Sequence, residues 1–214
     1  MQMLAERKAV VEYGRKLAGS SLTTGTGGNI SVFDRARGII AVSPSAMDYN
    51  TIQAGDIVLM SIDGDIVDGS RKPSTEAPLH LAHYRARRDI AAIVHSHPPY
   101  ATTIACLNWE IPALHYLIGF SGRKVPLAPY AAFGSEELAR LTVAAIGSHN
   151  AVLMANHGLL TVGKDLASAF ATSEIVEFMA RVLLQAKSVG EPRLLSEHEM
   201  DEAIARFGTY GQTR

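Results

Sequence analysis

The sequence predicts an α/β fold in which helices cover a mainly antiparallel sheet. Three observations predict this fold: short apolar runs typical of strands, a hairpin signal at Asp63-Gly64, and several longer segments with helical spacing. No repeat, low-complexity tract or linker interrupts the 214 residues. We therefore predict one domain over residues 1–214.

The first half of the chain predicts one helix followed by paired strands. Residues 2–19 place apolar side chains at helical spacing, and a glycine-rich segment ends that helix before residue 29. The Asp63-Gly64 pair favours a tight turn because glycine tolerates positive φ. The strands are expected at residues 29–33, 38–42, 56–61 and 65–68.

The second half predicts helices on either side of three short strands. Ser74 or Thr75 is expected to cap a helix that runs to about residue 88, with Glu76 and Pro78 in its first turn. A buried strand at 90–95 then leads into the segment HSHPP. Further helices are expected at 99–106, 136–146, 165–188 and 196–207, and strands at 151–155 and 159–162.

Composition excludes several classes of function. The formal net charge is −1 and no basic run is present, so neither nucleic acid nor an anionic membrane is an expected partner. Cys106 is the only cysteine, which favours a reducing compartment. Charges interrupt the apolar positions of the N-terminal segment, and no apolar run approaches a membrane span of roughly 20 residues. A soluble, cytoplasmic protein is expected.

The triplet His95-Ser96-His97 is the most informative short pattern. In an extended segment, residues two apart point to the same face, so two imidazoles about 7 Å apart at the backbone can converge on one ion. Catalytic zinc commonly has three protein ligands and one open position. A pair of satisfied or exposed histidines is the alternative interpretation.

A third ligand must come from elsewhere in the chain. His157 follows Asn156 and precedes Gly158 between two apolar segments, where the glycine permits a tight turn. His80 and His83 lie three apart on a predicted helix and could pair on one face. Spacing alone leaves the choice open among His157 and its competitors, His80, His83, His115, His149 and His198.

Glu76 has two interpretations. A carboxylate at a helix N-terminus is favoured by the helix dipole and needs no further role. Alternatively, Glu76 is a fourth metal ligand that leaves when substrate arrives and then moves a proton, work suited to a carboxylate beside a metal and a carbonyl.

Three segments of small residues could bind an anion through hydroxyls and backbone N–H groups. Each taken alone is also typical of an ordinary turn or helix cap. The first is neither a Walker sequence nor a dinucleotide fingerprint, because it follows a helix and precedes a strand. They are residues 25–29 (GTGGN), 43–46 (SPSA) and 73–75 (PST).

Taken in order, these motifs resemble the class II aldolase/adducin family. The segments are GTGGNIS, SPSA, KPSTEAPLH, HSHPPYATTIACLNWEIPALHY, PYAAFGSEEL and NHGLL. They are collinear from about Thr24 to the tail. The resemblance implies a single-domain three-layer α/β/α sandwich with a central, mainly antiparallel sheet.

The resemblance also implies roles for individual residues. His95, His97 and His157 match the metal histidines, and Glu76 matches the acidic ligand that doubles as base. The implied cofactor is Zn²⁺, with Mn²⁺ or Co²⁺ as alternatives. The matching phosphate-binding positions are Gly28, Asn29, Ser45, Ala46, Ser74 and Thr75.

Three aromatic residues match positions on the aldehyde side. The resemblance implies that Tyr116 reaches a neighbouring subunit's site as proton donor, and that Phe133 and Tyr210 shape the aldehyde pocket. Without it, Tyr116 would be an ordinary core or interface residue and Tyr210 part of a frayed terminus. A homotetramer with sites at subunit interfaces is expected.

The chain departs from the family pattern in places. Ser45-Ala46 stands where the family often has Thr-Gly, which keeps a backbone N–H but reduces conformational freedom. Residues 33–42 are slightly longer than in the fuculose-type members, and GFSGRKV is slightly shorter. Both differences bear on which aldehyde fits.

The implied activity is reversible cleavage of a ketose 1-phosphate, L-fuculose 1-phosphate or a related deoxy sugar, to dihydroxyacetone phosphate and a small aldehyde. A 4-epimerase, a dehydratase or a decarboxylase of the same family is the alternative. A non-catalytic binding module like the adducin head is an alternative of another class, against which the three histidines and Glu76 argue.

Overall fold

Eight strands form one sheet in the order β4-β3-β2-β1-β5-β8-β7-β6 in a computed structural model, which describes residues 1–207. Every neighbouring pair is antiparallel except β6 and β7. The strands are β1 (Asn29–Asp34), β2 (Ile39–Val42), β3 (Val58–Ser61), β4 (Ile66–Asp68), β5 (Ala92–Ser96), β6 (Leu127–Ala128), β7 (Ala151–Met154) and β8 (Gly158–Gly163).

Helices cover both faces of this sheet. Within the described residues they are α1 (Leu4–Gly19), α2 (Ala77–Ala86), α3 (Pro99–Cys106), α4 (Glu136–Ile146), α5 (Leu166–Val189) and α6 (Glu197–Phe207). Short 3₁₀ turns occupy Ala54–Asp56 and Tyr116–Phe120. The predicted α/β/α sandwich with a mainly antiparallel sheet is confirmed.

Alternation along the strands places apolar side chains on both faces of the sheet. Phe33 of β1 and Ile93 of β5 pack with α2 and α4 on one face. Ile30 of β1 and Val94 of β5 pack with α1 and α5 on the other. Because successive strand residues point to opposite faces, Asn29, Ser31 and His95 share the α2 face, although they are polar.

Several predicted boundaries shift. The predicted cap on α2 is wrong: the helix begins at Ala77 and Glu76 occupies the N-cap position without a side-chain cap bond. Ser74 Oγ instead accepts a hydrogen bond from Glu76 N–H. Pro78, which has no N–H, removes a donor that a capping side chain would need.

Three elements were not expected from the sequence, among them the 3₁₀ turn Ala54–Asp56, which delays the strand predicted from residue 56 until Val58. β6 has only two residues, too few to show a period, and it joins the sheet by parallel pairing with β7. The 3₁₀ turn Tyr116–Phe120 comes shortly after Pro112, and the residues around it show no helical spacing of apolar side chains. Within the described residues, no helix combines the length and hydrophobicity of a membrane span. That residues 1–214 form a single domain stays a prediction.

Candidate metal centre

His95 and His97 lie at the end of a central strand. β5 is bordered by β1 and β8, with His95 opposite Asn29 on one side and Leu160 on the other. His95 is fully buried and His97 is half-buried. Their Nε2 atoms are 3.0 Å apart. The predicted convergence of two imidazoles on one side of the strand is therefore present.

His157 joins them from the turn between β7 and β8. Asn156 adopts a left-handed backbone with φ of 53°, and His157 N–H donates to Met154 O. A Cβ on Gly158 would lie 2.6 Å from Ser96 O, so only glycine lets this turn lie against the end of β5. One ring nitrogen from each of the three histidines lies within 4.8 Å of the others.

Glu76 brings a carboxylate to the same point. Its Oε2 lies 3.1 Å from His95 Nε2, and its Oε1 lies 3.4 Å from His157 Nε2. Oε2 also accepts a hydrogen bond of 2.9 Å from Asn29 Nδ2. Oε1 is buried and has no hydrogen-bond donor among the described residues. An oxygen so placed is costly unless a cation or donor faces it.

Burial and neighbouring charged groups both shift the pKa values of the site residues. Burial raises the pKa of the Glu76 carboxyl, but His95, His157 and the Asn29 hydrogen bond together outweigh it and hold the pKa well below its ordinary value. Burial and, next, the charge of the neighbouring His95 together lower the pKa of both His97 and His157 to about 4. At neutral pH the site thus contains an ionised carboxylate and imidazoles with free lone pairs.

These four residues suit a divalent metal. His95 Nδ1 lies 2.9 Å from Leu159 O, so Nδ1 carries a proton and Nε2, once deprotonated, is the nitrogen that can ligate. Three imidazole nitrogens and one carboxylate oxygen are a donor set that zinc accepts. A bound cation would also face Glu76 Oε1, which has no hydrogen-bond donor among the described residues. His95, His97, His157 and Glu76 could hold such an ion.

Two of the three anion-binding segments lie side by side. Ser45 N–H donates to Lys72 O and Ser74 N–H donates to Ser43 O, around an antiparallel bridge between Pro44 and Pro73. Ser74 is buried, whereas Ser45 is half-buried and Thr75 is exposed. Ala46 adopts a left-handed backbone with φ of 54°, at the position where the family often has glycine.

The first segment reaches both the metal histidines and the second segment. Gly28 has φ of 74°, and a Cβ there would lie 2.5 Å from His95 O. Tyr49 OH bonds both Gly28 O and Ser43 Oγ. The structure therefore brings the three segments together beside the histidines. Asn29 directs its amide toward Glu76 rather than toward Ser45 or Ser74. Phosphate binding at all of these positions stays a prediction.

Neither Phe133 nor Tyr116 contacts the histidine cluster within this chain. Phe133 is 72% exposed, and a Cβ on the adjacent Gly134 would lie 3.0 Å from Thr75 O, which places this loop beside the third segment. Tyr116 is 51% exposed, and its ring stacks on His115 at 4.6 Å. Tyr210 lies outside the described residues. The roles of all three stay predictions.

One hydrogen-bonded row beside the site was not predicted, although Asn29 was expected to bind phosphate and His80 was an alternative metal ligand. His80 Nε2 lies 2.5 Å from Asn29 Oδ1, and His80 Nδ1 lies 2.6 Å from Ser31 Oγ, which in turn lies 2.7 Å from Tyr84 OH. His80 and His83 do not pair, because His83 Nδ1 bonds Leu79 O instead. The spacing Glu76, His80, Tyr84 was the available signal, since residues four apart share a helix face.

Comparison with known proteins shows the family of the chain. The model of the family described as "Class II Aldolase and Adducin N-terminal domain" matches residues 8–184. A 5-deoxy-D-ribulose 1-phosphate aldolase of Bacillus thuringiensis serovar kurstaki is 47% identical over 212 residues, covering 99% of this chain and 100% of that protein.

Two further relatives point the same way. A 5-methylthioribulose-1-phosphate/5-deoxyribulose-1-phosphate aldolase of Rhodospirillum rubrum is 34% identical over 209 residues, covering 97% of this chain and 93% of the other. A solved L-fuculose 1-phosphate aldolase superposes with a TM-score of 0.93 at 43% identity, covering 95% of this chain and 96% of that one.

Proposed function

Because the chain belongs to the class II aldolase and adducin N-terminal domain family, we propose that it cleaves a 5-deoxypentulose 1-phosphate reversibly to dihydroxyacetone phosphate and acetaldehyde. Its relatives are named aldolases, so the enzyme is an aldehyde-lyase acting on a phosphorylated ketose. The observation that carries the proposal is the convergence of Glu76, His95, His97 and His157 on one point. L-Fuculose 1-phosphate is the second candidate substrate, since the solved relative carries that name.

Zn²⁺ is the proposed cofactor, held by His95, His97, His157 and Glu76, with Mn²⁺ or Co²⁺ as alternatives. When bound, a divalent cation supplies Lewis-acid stabilisation of the negative charge left on the three-carbon fragment. No lysine Schiff base is then needed. Neutral His97 and His157 suit this set, because their depressed pKa values of about 4 keep their lone pairs free at neutral pH.

Glu76 is the proposed base. Cleavage of the C3–C4 bond leaves an electron pair on C3, which must be protonated to give dihydroxyacetone phosphate. The reverse reaction removes that proton. Glu76 Oε1 is free of hydrogen bonds to described residues while Oε2 is held by Asn29, so one carboxylate oxygen is anchored and the other is available.

The phosphate group is proposed to lie among the small-residue segments. The residues are Gly28, Asn29, Ser45, Ala46, Ser74 and Thr75. The proximity of the segments supports this, as does the exposure of Thr75 and Ala46 beside buried Ser74. Neutral hydroxyl and backbone N–H donors can bind a phosphate dianion without a lysine.

The aldehyde side is proposed to be completed by a second subunit of a homotetramer. In condensation Tyr116 would protonate the aldehyde oxygen, and in cleavage its phenolate would take the proton from the C4 hydroxyl. Phe133 and Tyr210 would shape the pocket. The exposure of Tyr116 and Phe133 in the protomer supports a role at a subunit contact. The enzyme is further proposed to be cytoplasmic, with neither nucleic acid nor membrane as a partner.

Product analysis tests the proposal. The zinc-loaded enzyme is offered 5-deoxy-D-ribulose 1-phosphate, L-fuculose 1-phosphate and L-ribulose phosphates, with dihydroxyacetone phosphate detected by coupled reduction and the aldehyde identified by derivatisation. Dihydroxyacetone phosphate with acetaldehyde is expected. An isomeric pentose phosphate would indicate an epimerase and loss of water a dehydratase, whereas a decarboxylase would turn over none of these sugars, because none carries a carboxylate. Absence of bound metal together with no turnover would favour the binding module.

A further inference from the structure

A row of buried polar side chains lies between α2 and β1, behind the carboxylate of Glu76. Glu76, His80 and Tyr84 are four residues apart on the helix, about 6 Å for each step. Asn29 and Ser31 are two apart on the strand, about 6.6 Å. Because these rises nearly match, the two rows interleave in the order Glu76, Asn29, His80, Ser31, Tyr84.

The hydrogens of this row have one consistent assignment. The ionised Glu76 can only accept, so Asn29 directs Nδ2–H to Glu76 Oε2 and Oδ1 to His80. His80 must therefore carry its proton on Nε2. Burial, followed by the nearby His95, lowers the pKa of His80 to about 3, so the ring is neutral and Nδ1 accepts from Ser31 Oγ–H. Ser31 Oγ can then accept from Tyr84 OH.

From Ser31 through His80 to Asn29, the donors of the row are thus directed toward Glu76, while Tyr84 O–H is within reach of both Ser31 Oγ and Ser31 O. An asparagine amide can present either its oxygen or its N–H₂ group, and the oxygen would repel the carboxylate. His80 removes that ambiguity, because its Nε2–H bonds only the amide oxygen.

We propose that His80 is a positioning residue: through Asn29 it fixes the Glu76 carboxylate with Oε2 held and Oε1 free to face the cation and the substrate. This inference rests on the proposed roles of Glu76 as ligand and base.

His83 provides a matched comparison on the same helix. Like His80 it is buried, with 0% exposure against 1%. Burial likewise lowers its pKa, to about 4. Its Nδ1 bonds Leu79 O, one turn back in α2, and its Nε2 has no partner among the described residues. A variant at His83 therefore reports the cost of removing a buried imidazole from α2 without disturbing the row.

The experiment compares His80→Leu, His80→Gln and His83→Leu, each loaded with Zn²⁺. Zinc affinity is measured by competition with a chromophoric chelator, alongside Tm, kcat and KM. For His80→Leu we expect zinc affinity and kcat each to fall about tenfold or more, with KM within about twofold. His80→Gln retains an N–H that can reach Asn29 Oδ1 and should recover most of both. His83→Leu should lower Tm comparably and leave zinc affinity within about threefold of the parent.

A double-mutant cycle distinguishes an effect of His80 on the position of Glu76 from a general loss of local structure. If His80 acts through Glu76, adding His80→Leu to Glu76→Gln should change zinc affinity by less than about threefold. Additive losses, or wild-type zinc affinity and kcat in His80→Leu, would overturn the inference. If His80→Leu does not fold, Ser31→Ala tests the same row: a roughly threefold loss of zinc affinity supports it and no loss refutes it. The zinc measurements need no substrate, so they decide this inference even if the proposed reaction is wrong.

Discussion

Glu76 Oε2 lies 3.1 Å from His95 Nε2, and both side chains are almost completely buried. Burial opposes charge on either group, yet their mutual attraction lowers the pKa of Glu76 and raises that of His95. The pair thus holds an ionised carboxylate in a position that desolvation alone would make neutral. A cation that replaces the His95 proton would be attracted by the same Glu76 carboxylate. Metal binding is therefore expected to release a proton.

Glu76→Gln should separate metal binding from catalysis. The amide oxygen of glutamine occupies nearly the same space and can still face the ion, but an amide cannot take up a proton at neutral pH. We expect close to one zinc per chain by elemental analysis and a fall in kcat of about 10³-fold or more. Near-normal turnover would show that Glu76 is not the base.

Changing His95 and His97 together to alanine should remove both metal and activity. Two of three imidazoles are lost, and the remaining His157 with Glu76 cannot complete the set. Elemental analysis should find less than about a tenth of the parent's zinc. His198→Ala, at an exposed position on α6, serves as the matched control and should retain both. Full activity in the metal-free double variant would contradict a metal-dependent lyase.

The sequence predicts the sheet and helices well because each long element has its own period. β6 is missed because two residues cannot show a period. Its place in the sheet depends on pairing with β7, where Leu153 N–H donates to Pro126 O. The start of α2 is misplaced because Glu76 resembles an ordinary first-turn carboxylate. Its side chain instead extends to His95 and Asn29.

The metal histidines can be predicted only in part. His95 and His97 follow from strand geometry, whereas His157 needs the family pattern, because only the folded sheet brings the β7–β8 turn to the end of β5. His80 is considered only as an alternative metal ligand, and its contact with Asn29 is not predicted, since that contact depends on β1 packing against α2 in one register. No spacing within a single element specifies that register.

Acid should destabilise the fold partly through His83. Its folded pKa of about 4 lies below the ordinary 6.5, so between these values the unfolded chain binds the proton and the folded chain does not. The stabilisation is complete above pH 6.5 and is lost as pH falls toward 4. In metal-free protein, His83→Leu should reduce the loss of unfolding free energy between pH 7.5 and pH 5 by about 2 kcal/mol, measured by urea denaturation.

The control for this pH measurement is His198→Leu, which removes a histidine from an exposed position. It should leave the difference in unfolding free energy between the two pH values unchanged. If His83→Leu retains the parent's full acid loss, His83 is not the buried neutral group described.

Gly28 should be intolerant of a side chain. Its φ of 74° disfavours L-residues, and a Cβ would lie 2.5 Å from His95 O. Gly25 has a similar φ of 63° but open space around it. We expect Gly25→Ala to cost about 1 kcal/mol of unfolding free energy. Gly28→Ala should cost at least about 2 kcal/mol more and weaken zinc binding, because His95 must move. If both variants lose the same unfolding free energy, the contact between a Cβ at position 28 and His95 O does not destabilise the fold.

Shared sites between subunits should be detectable by complementation. If Tyr116 serves the site of a neighbouring subunit, a mixed oligomer of Glu76→Gln and Tyr116→Phe chains contains some sites with both residues intact. Random assembly at equal amounts gives an intact pair in about a quarter of sites, and so about a quarter of parental activity from two nearly inactive parents. Mixing Glu76→Gln with the His95/His97 double variant should restore nothing, because both defects affect the same half of the site. A Glu76→Gln and Tyr116→Phe mixture no more active than the average of its parents would place Tyr116 outside the neighbour's site.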